Sequence, residues 1–195
     1  MGIRHWIAKF GPGLKCNVIP LLGIKSIPRS PENCGSFDGN AEQKALHYGR
    51  YRTGWVLADD SGLEVDALSG APGVYSARYG GPNADDAANN RKLLRELDGI
   101  SPDDRTARFV CVLSLVHNGR LRAGFYGIAA GEILESPVGN GGFGYDPLFW
   151  DGELQKSFAG LSPEQKLDRS HRGIAIRKLV EWIVGQQALG SLFRQ

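Results

Sequence analysis

Arg108-Phe109-Val110-Cys111-Val112-Leu113-Ser114-Leu115-Val116 is a nine-residue run of mostly β-branched, aromatic and apolar residues, and Asn118-Gly119 follows it almost at once. Asn-Gly is the strongest short hairpin signal, because both central positions of the tight two-residue turn need positive φ. The pattern predicts two long antiparallel strands, 108–116 and 120–129, joined by that turn. Helical spacing surrounds them. In 40–51, Ala41, Ala45 and Tyr48 fall on one side and Glu42, Gln43 and Arg50 on the other. In 84–97, Ala87, Leu93, Leu94 and Leu97 recur near helical spacing, with Asp85 and Asp86 in the first turn, where the helix dipole favours acids. Ser162-Pro163-Glu164-Gln165 reads as a helix start, with a serine cap, proline at the first helical position and glutamine three residues after the cap. Ile176, Leu179, Val180 and Ile183 lie at i, i+3, i+4 and i+7, so a last helix packs one face on the core and leaves Arg172 at its N-terminal tip. Trp55-Val56-Leu57-Ala58 predicts a short buried strand that stops in a polar loop at Asp59-Asp60-Ser61-Gly62. The expected fold is a mixed α/β domain whose sheet is partly antiparallel.

Composition bounds what such a domain does. The chain has 195 residues, 42% of them hydrophobic, which suits one domain with its own core and is short for two. A net charge of +2 without a long basic run is too mild for tracking a nucleic-acid backbone. Cys16, Cys34 and Cys111 are odd in number and far apart, which disfavours a disulfide framework or a zinc site; Cys111, inside an apolar run, reads as a small core residue. No apolar run approaches the roughly 18 residues of a membrane span, and the first residues lack the order of a secretory signal, so the expected location is the cytoplasm.

Three segments carry chemistry. Gly139-Asn140-Gly141-Gly142-Phe143-Gly144-Tyr145-Asp146-Pro147 sets one aromatic ring among glycines and ends on a carboxylate. Glycines allow close backbone approach to a ligand, Phe143 offers a surface for a base to stack on, and Asp146 and the Tyr145 hydroxyl can orient what arrives. A surface loop is the plain alternative. Asp59 and Asp60 follow a buried strand, where open α/β sheets place ligands. On a strand they point to opposite faces, so one works while the other supports. Asp60 could hold a hard divalent cation such as Mg²⁺ or act as base for water; an Asx turn is the alternative. Lys166, Arg169, His171 and Arg172 cluster over seven residues around a helix start. Lysine and arginine donate hydrogen bonds and never accept them, which suits phosphates and base carbonyls. His171 alone fits a structural role. Together the three segments are what a Mg-nucleoside triphosphate requires.

At these residues the chain resembles the inosine triphosphate pyrophosphatases, which hydrolyse non-standard purine nucleoside triphosphates such as dITP, ITP and XTP to the monophosphate and pyrophosphate. The resemblance is carried by Ala58-Asp59-Asp60-Ser61-Gly62-Leu63 with Gly70-Ala71-Pro72-Gly73-Val74-Tyr75-Ser76-Ala77-Arg78-Tyr79, by Gly141-Gly142-Phe143-Gly144-Tyr145-Asp146-Pro147 and by Ser170-His171-Arg172-Gly173, over about residues 19–183. It implies an elongated α/β fold with a mixed sheet, long antiparallel strands, flanking helices and a central nucleotide cleft, in a homodimer; neither nucleic acid nor membrane is an expected partner, as charge and hydropathy indicate. It also implies that Asp60 is the catalytic carboxylate and Mg²⁺ ligand and that Ser61 contacts phosphate. Phe143, Gly144, Tyr145 and Asp146 would hold base and sugar, and Lys166, His171 and Arg172 would read the purine and its phosphates. Hypoxanthine and xanthine carry a carbonyl at position 6 where adenine carries an amino group. A donor-only arginine facing that amino group would lose its hydrogen bond, costing about 1–3 kcal/mol. Guanine shares the carbonyl and is not separated by this contact.

Two departures stand out. The family's Thr/Ser-x-Asn-x-x-Lys triphosphate loop has no counterpart in the atypical segment 1–14, and Gly39 stands where the family has a metal-binding glutamate. Asp38 is one residue away, about 100° around a helix. The leading expectation is an active Mg-dependent pyrophosphatase. The alternatives are a nucleotide-binding member impaired in catalysis by the missing loop, or a chain whose coding start lies further upstream.

Overall fold

The computed structural model describes residues 18–21 and 27–188, and the segment 1–14 lies outside them. Helix α1 (Phe37–Gly49) begins where the Ser36 side chain accepts the Gly39 N–H at 3.1 Å. That cap fixes the start three residues before the expected one. Strand β1 (Trp55–Val65) corrects the expectation of a loop at Asp59: it runs eleven residues straight through Asp59-Asp60-Ser61-Gly62. The reason is tertiary. β1 pairs residue for residue with β2 (Thr106–His117), from Trp55 opposite His117 to Val65 opposite Ala107, and this ladder satisfies the backbone whatever the side chains are. Gly62 is needed there, because a Cβ would come within 2.8 Å of the Phe37 ring and 2.6 Å of the Ser76 hydroxyl.

The hairpin forms as expected and runs further at both ends. β2 turns through Asn118 (φ 48°) and Gly119 (φ 74°) into β3 (Arg120–Ile133). Short strands β4 (Phe149–Asp151) and β5 (Lys156–Ser157) complete a sheet of order β1-β2-β3-β4-β5. Every strand pairing among the described residues is antiparallel, and the parallel part of the expected mixed sheet is not among them. Helix α2 (Asp86–Glu96) is capped by Asp85, whose carboxylate accepts the Ala88 N–H at 2.7 Å. Helix α3 (Pro163–Arg169) carries the full reciprocal capping box between Ser162 and Gln165, and α4 (His171–Ala188) follows directly.

Strand alternation sorts the core between two layers of helix. Ile176, Leu179, Val180 and Ile183 of α4 pack against Cys111, Leu113, Leu115 and Phe125, while Phe37 and Ala41 of α1 pack against Val110 and Val112 on the other face. A third cluster, including Leu63, Leu93, Leu97, Phe109, Phe149 and Phe158, joins α2 to the sheet. Each of the Val, Leu, Ile and Phe side chains among these, fully buried, contributes about 1.5–3 kcal/mol. Cys111 is a core residue as expected, and burial above all pushes its thiol up to about 11. Among the described residues no helix is long and apolar enough to cross a membrane.

Candidate functional site

The glycine loop is tied down on both sides of Phe143. Asp146, 3% exposed, accepts the Phe143 N–H at 2.7 Å and pairs with Lys166. From α2, Asp86 accepts the Gly144 N–H at 2.6 Å and the Asn90 amide donates to the Gly144 carbonyl at 3.0 Å. Gly142 (φ 76°) has no room for a Cβ, which would meet the Asp146 carboxylate. These ties hold the Phe143 ring 61% exposed, as a platform. Tyr145 corrects one expectation: it is buried, and its hydroxyl donates to the Ser76 carbonyl at 2.9 Å. That hydroxyl anchors the loop, and its proton is already committed.

Two cations flank the platform, with the Lys166 ammonium 5.0 Å and the Arg172 guanidinium carbon 5.6 Å from the Phe143 ring centre. Arg172 Nη2 also donates to Asp59 Oδ2 at 3.0 Å. The start of α4 sets this geometry. The Ser170 hydroxyl accepts the Gly173 N–H at 3.1 Å as an N-cap, and Gly173 lies so close to α3 that a Cβ would overlap the Leu167 carbonyl. On the sheet side a Cβ on Gly127 would overlap the His171 carbonyl. Ser170-His171-Arg172-Gly173 is thus a helix start wedged between α3 and β3. Arg169 takes no part in it: its guanidinium binds Asp151 at 2.9 Å and Glu153 at 2.8 Å.

His171 is buried with its ring stacked on Phe109 at 4.8 Å, and its Nδ1 has no hydrogen-bond partner among the described residues. Burial first, then the charges of Arg172 and Lys166, push its pKa down from 6.5 to about 3. It is neutral at pH 7. Between those two values the unfolded chain binds a proton that the folded chain refuses, so His171 makes stability fall as pH drops from 6.5 toward about 3. The slope approaches about 1.4 kcal/mol per pH unit at its steepest. Urea unfolding at pH 7 and pH 4.5 should show a steeper pH dependence for the wild type than for His171→Asn. Parallel pH dependences would remove His171 as the titrating group.

Asp60 stands on the opposite face of β1, against α1. Its Oδ1 accepts from the Lys44 ammonium at 2.7 Å and its Oδ2 from the Asn40 amide at 3.1 Å. Lys44 also lies 3.5 Å from Glu32. None of Asn40, Lys44 and Glu32 was among the expected site residues. The available signal was Asn40 and Lys44 at i, i+4 beside Ala41 and Ala45, a polar pair next to a buried stripe. Gly39 packs on Cys34, where a longer side chain lacks room, and Asp38 is exposed. Ser61 sits on the face of Asp59, its hydroxyl donating to Asp59 Oδ2 at 3.5 Å. The structure therefore brings together Ser61, Phe143, Gly144, Asp146, Lys166, His171 and Arg172 on the α4 side, and holds Asp60 on the α1 side with Lys44. An open cavity of about 430 Å³ along α1, lined by residues such as Gln43, Leu46, His47 and Arg50, holds none of the expected residues.

The donor set limits the metal that could fit. Among the described residues no group of three or more His, Cys, Asp or Glu side chains is placed to hold an ion. Asp60 accepts one hydrogen bond on each oxygen, and a carboxylate has about four lone-pair sites, so acceptor capacity remains. Mg²⁺ takes one or two carboxylates when substrate phosphates and water complete its shell, and Asp60 offers one.

The sequence and the fold have known relatives. The model of the Ham1 family matches residues 4–182, so the likeness reaches into the segment 1–14. The dITP/XTP pyrophosphatase of Desulforamulus reducens is 51% identical over 151 residues, covering 77% of this chain and 75% of its own. The HAM1 protein from Coxiella burnetii superposes with a TM-score of 0.86 at 36% identity, covering 94% of this chain and 93% of its own. The Ham1 protein of Staphylococcus aureus gives 0.85 at 40% identity, with the same coverages.

Proposed function

The chain belongs to the Ham1 family, and from that premise we propose that it hydrolyses non-standard purine nucleoside triphosphates, dITP, ITP and XTP, to the monophosphate and pyrophosphate. The observation that carries the reading is the Phe143 platform between Lys166 and Arg172, a stacking surface flanked by two groups that only donate. Phe143 stacks the base, and Arg172 and Lys166 donate to its carbonyl and to phosphate oxygens. Asp146 keeps Lys166 and the Phe143 backbone in register. Asp60 is the catalytic carboxylate. It would also hold Mg²⁺ together with the substrate phosphates, where the ion supplies positive charge against the leaving pyrophosphate. Lys44 and Asn40 fix the carboxylate's orientation. One water is consumed per turnover, as the bond between the monophosphate and the leaving pyrophosphate breaks. We read the chain as one domain acting as a homodimer in the cytoplasm. No observation favours a catalytically impaired member.

Pyrophosphate release from dITP, XTP and dATP, with and without Mg²⁺, tests this directly. Turnover should require the metal, and dITP or XTP should exceed dATP at least about tenfold, the worth of one mismatched polar contact of roughly 1.4 kcal/mol. Equal rates on all three substrates would overturn it.

A further inference from the structure

We propose that Asp59 is the positioning residue for Arg172, so that discrimination between purines depends on a carboxylate that does not itself touch the substrate. The inference rests on the functional reading above and goes beyond it. Arg172 is a long side chain in the first turn of α4, about one third exposed, and a free guanidinium there would sample many rotamers. Two contacts restrain it. The Phe143 ring lies 5.6 Å from its central carbon, and Asp59 Oδ2 takes one Nη2 proton at 3.0 Å. A nearby aromatic ring and a charged acceptor together narrow the directions the fork can take, leaving its other donors for a ligand.

Asp59 suits this role because the β1–β2 ladder fixes its backbone, although its side chain is about half exposed. It lies mid-strand in β1 opposite Leu113, on the face that α4 covers, and Ser61 donates to the same Oδ2. Its neighbour Asp60 points to the other face and is held by Lys44 and Asn40. Strand alternation thereby gives two consecutive carboxylates two separate duties. Exposed ion pairs of this kind add little to stability, so the consequence of the pair lies in orientation.

Steady-state kinetics with dITP and dATP on wild type, Asp59→Asn, Asp59→Glu, Arg172→Gln and the Asp59→Asn/Arg172→Gln double variant decide the matter. Asp59→Asn should lower the dITP-to-dATP ratio of kcat/KM at least about fivefold, chiefly through a higher KM for dITP, with Tm within about 2 °C of wild type. Asp59→Glu should recover part of the ratio. The double variant should be no less selective than Arg172→Gln alone, the signature of two residues acting through one contact. The proposal is overturned if Asp59→Asn keeps the ratio while Arg172→Gln loses it, or if the two losses multiply. A wild type without preference for dITP would instead overturn the functional reading, and this proposal with it.

Discussion

Asp60→Asn should lower kcat for dITP at least about a hundredfold, the lower end of what a positioned acid or base contributes. The local geometry makes the substitution informative. Asn40 Oδ1 accepts the Cys34 N–H at 3.0 Å, so the Asn40 amide is pinned with its NH₂ toward Asp60. An asparagine at 60 can still accept from Lys44 with its oxygen, but its own NH₂ then faces that of Asn40, donor against donor. The charge needed by a metal or an attacking water is gone, and among the described residues Lys44 keeps only the more distant Glu32 as counter-charge. The variant should fold, because the core clusters of β1 and β2 do not involve Asp60. Its Tm should fall modestly. Circular dichroism separates the two effects, and a retained tenth of the wild-type rate, a barrier change under about 1.4 kcal/mol, removes Asp60 from the reaction.

What was legible in the sequence is what local chemistry decides. Asn118-Gly119 forces positive φ at consecutive residues, and the stripe Ile176, Leu179, Val180, Ile183 has one face to bury, so hairpin and last helix formed where expected. The capping box at Ser162 is equally local. β1 is different. Asp59-Asp60-Ser61-Gly62 has the composition of a turn, and it is a strand only because β2 supplies a ladder partner at each residue and because α1 and α4 meet its carboxylates from opposite sides. That information lies 16 to 113 residues away along the chain. The same holds within the site. Phe143 was readable from glycine and aromatic composition, whereas Tyr145 looked equally available until the inward turn of the loop gave its hydroxyl to Ser76. Lys44 acquires meaning only once α1 packs on β1. The family resemblance pointed to the blocks, and the packing decided which side chains in them are free.

Phe143→Ala should weaken binding of the purine nucleotide by about 5- to 150-fold, the 1–3 kcal/mol that stacking of a base on an aromatic ring contributes, and leave Tm nearly unchanged. The ring is 61% exposed and belongs to none of the buried clusters, so its removal opens no cavity. The loop keeps its shape, because the ties run through the Phe143 and Gly144 backbone to Asp146, Asp86 and Asn90. Stacking is indifferent to the group at position 6, so dITP and dATP should weaken alike and their ratio should hold, the opposite of the outcome expected on disturbing Arg172. Asp146→Ala is the informative contrast. It orphans the Phe143 N–H and strips Lys166 of its counter-charge in a site where Asp146 is 3% exposed, so binding and thermal stability should fall together. Isothermal titration with the monophosphate product measures the binding loss without turnover. If Phe143→Ala binds that product as tightly as wild type, the ring does not carry the base, and recognition must rest on the two cations alone.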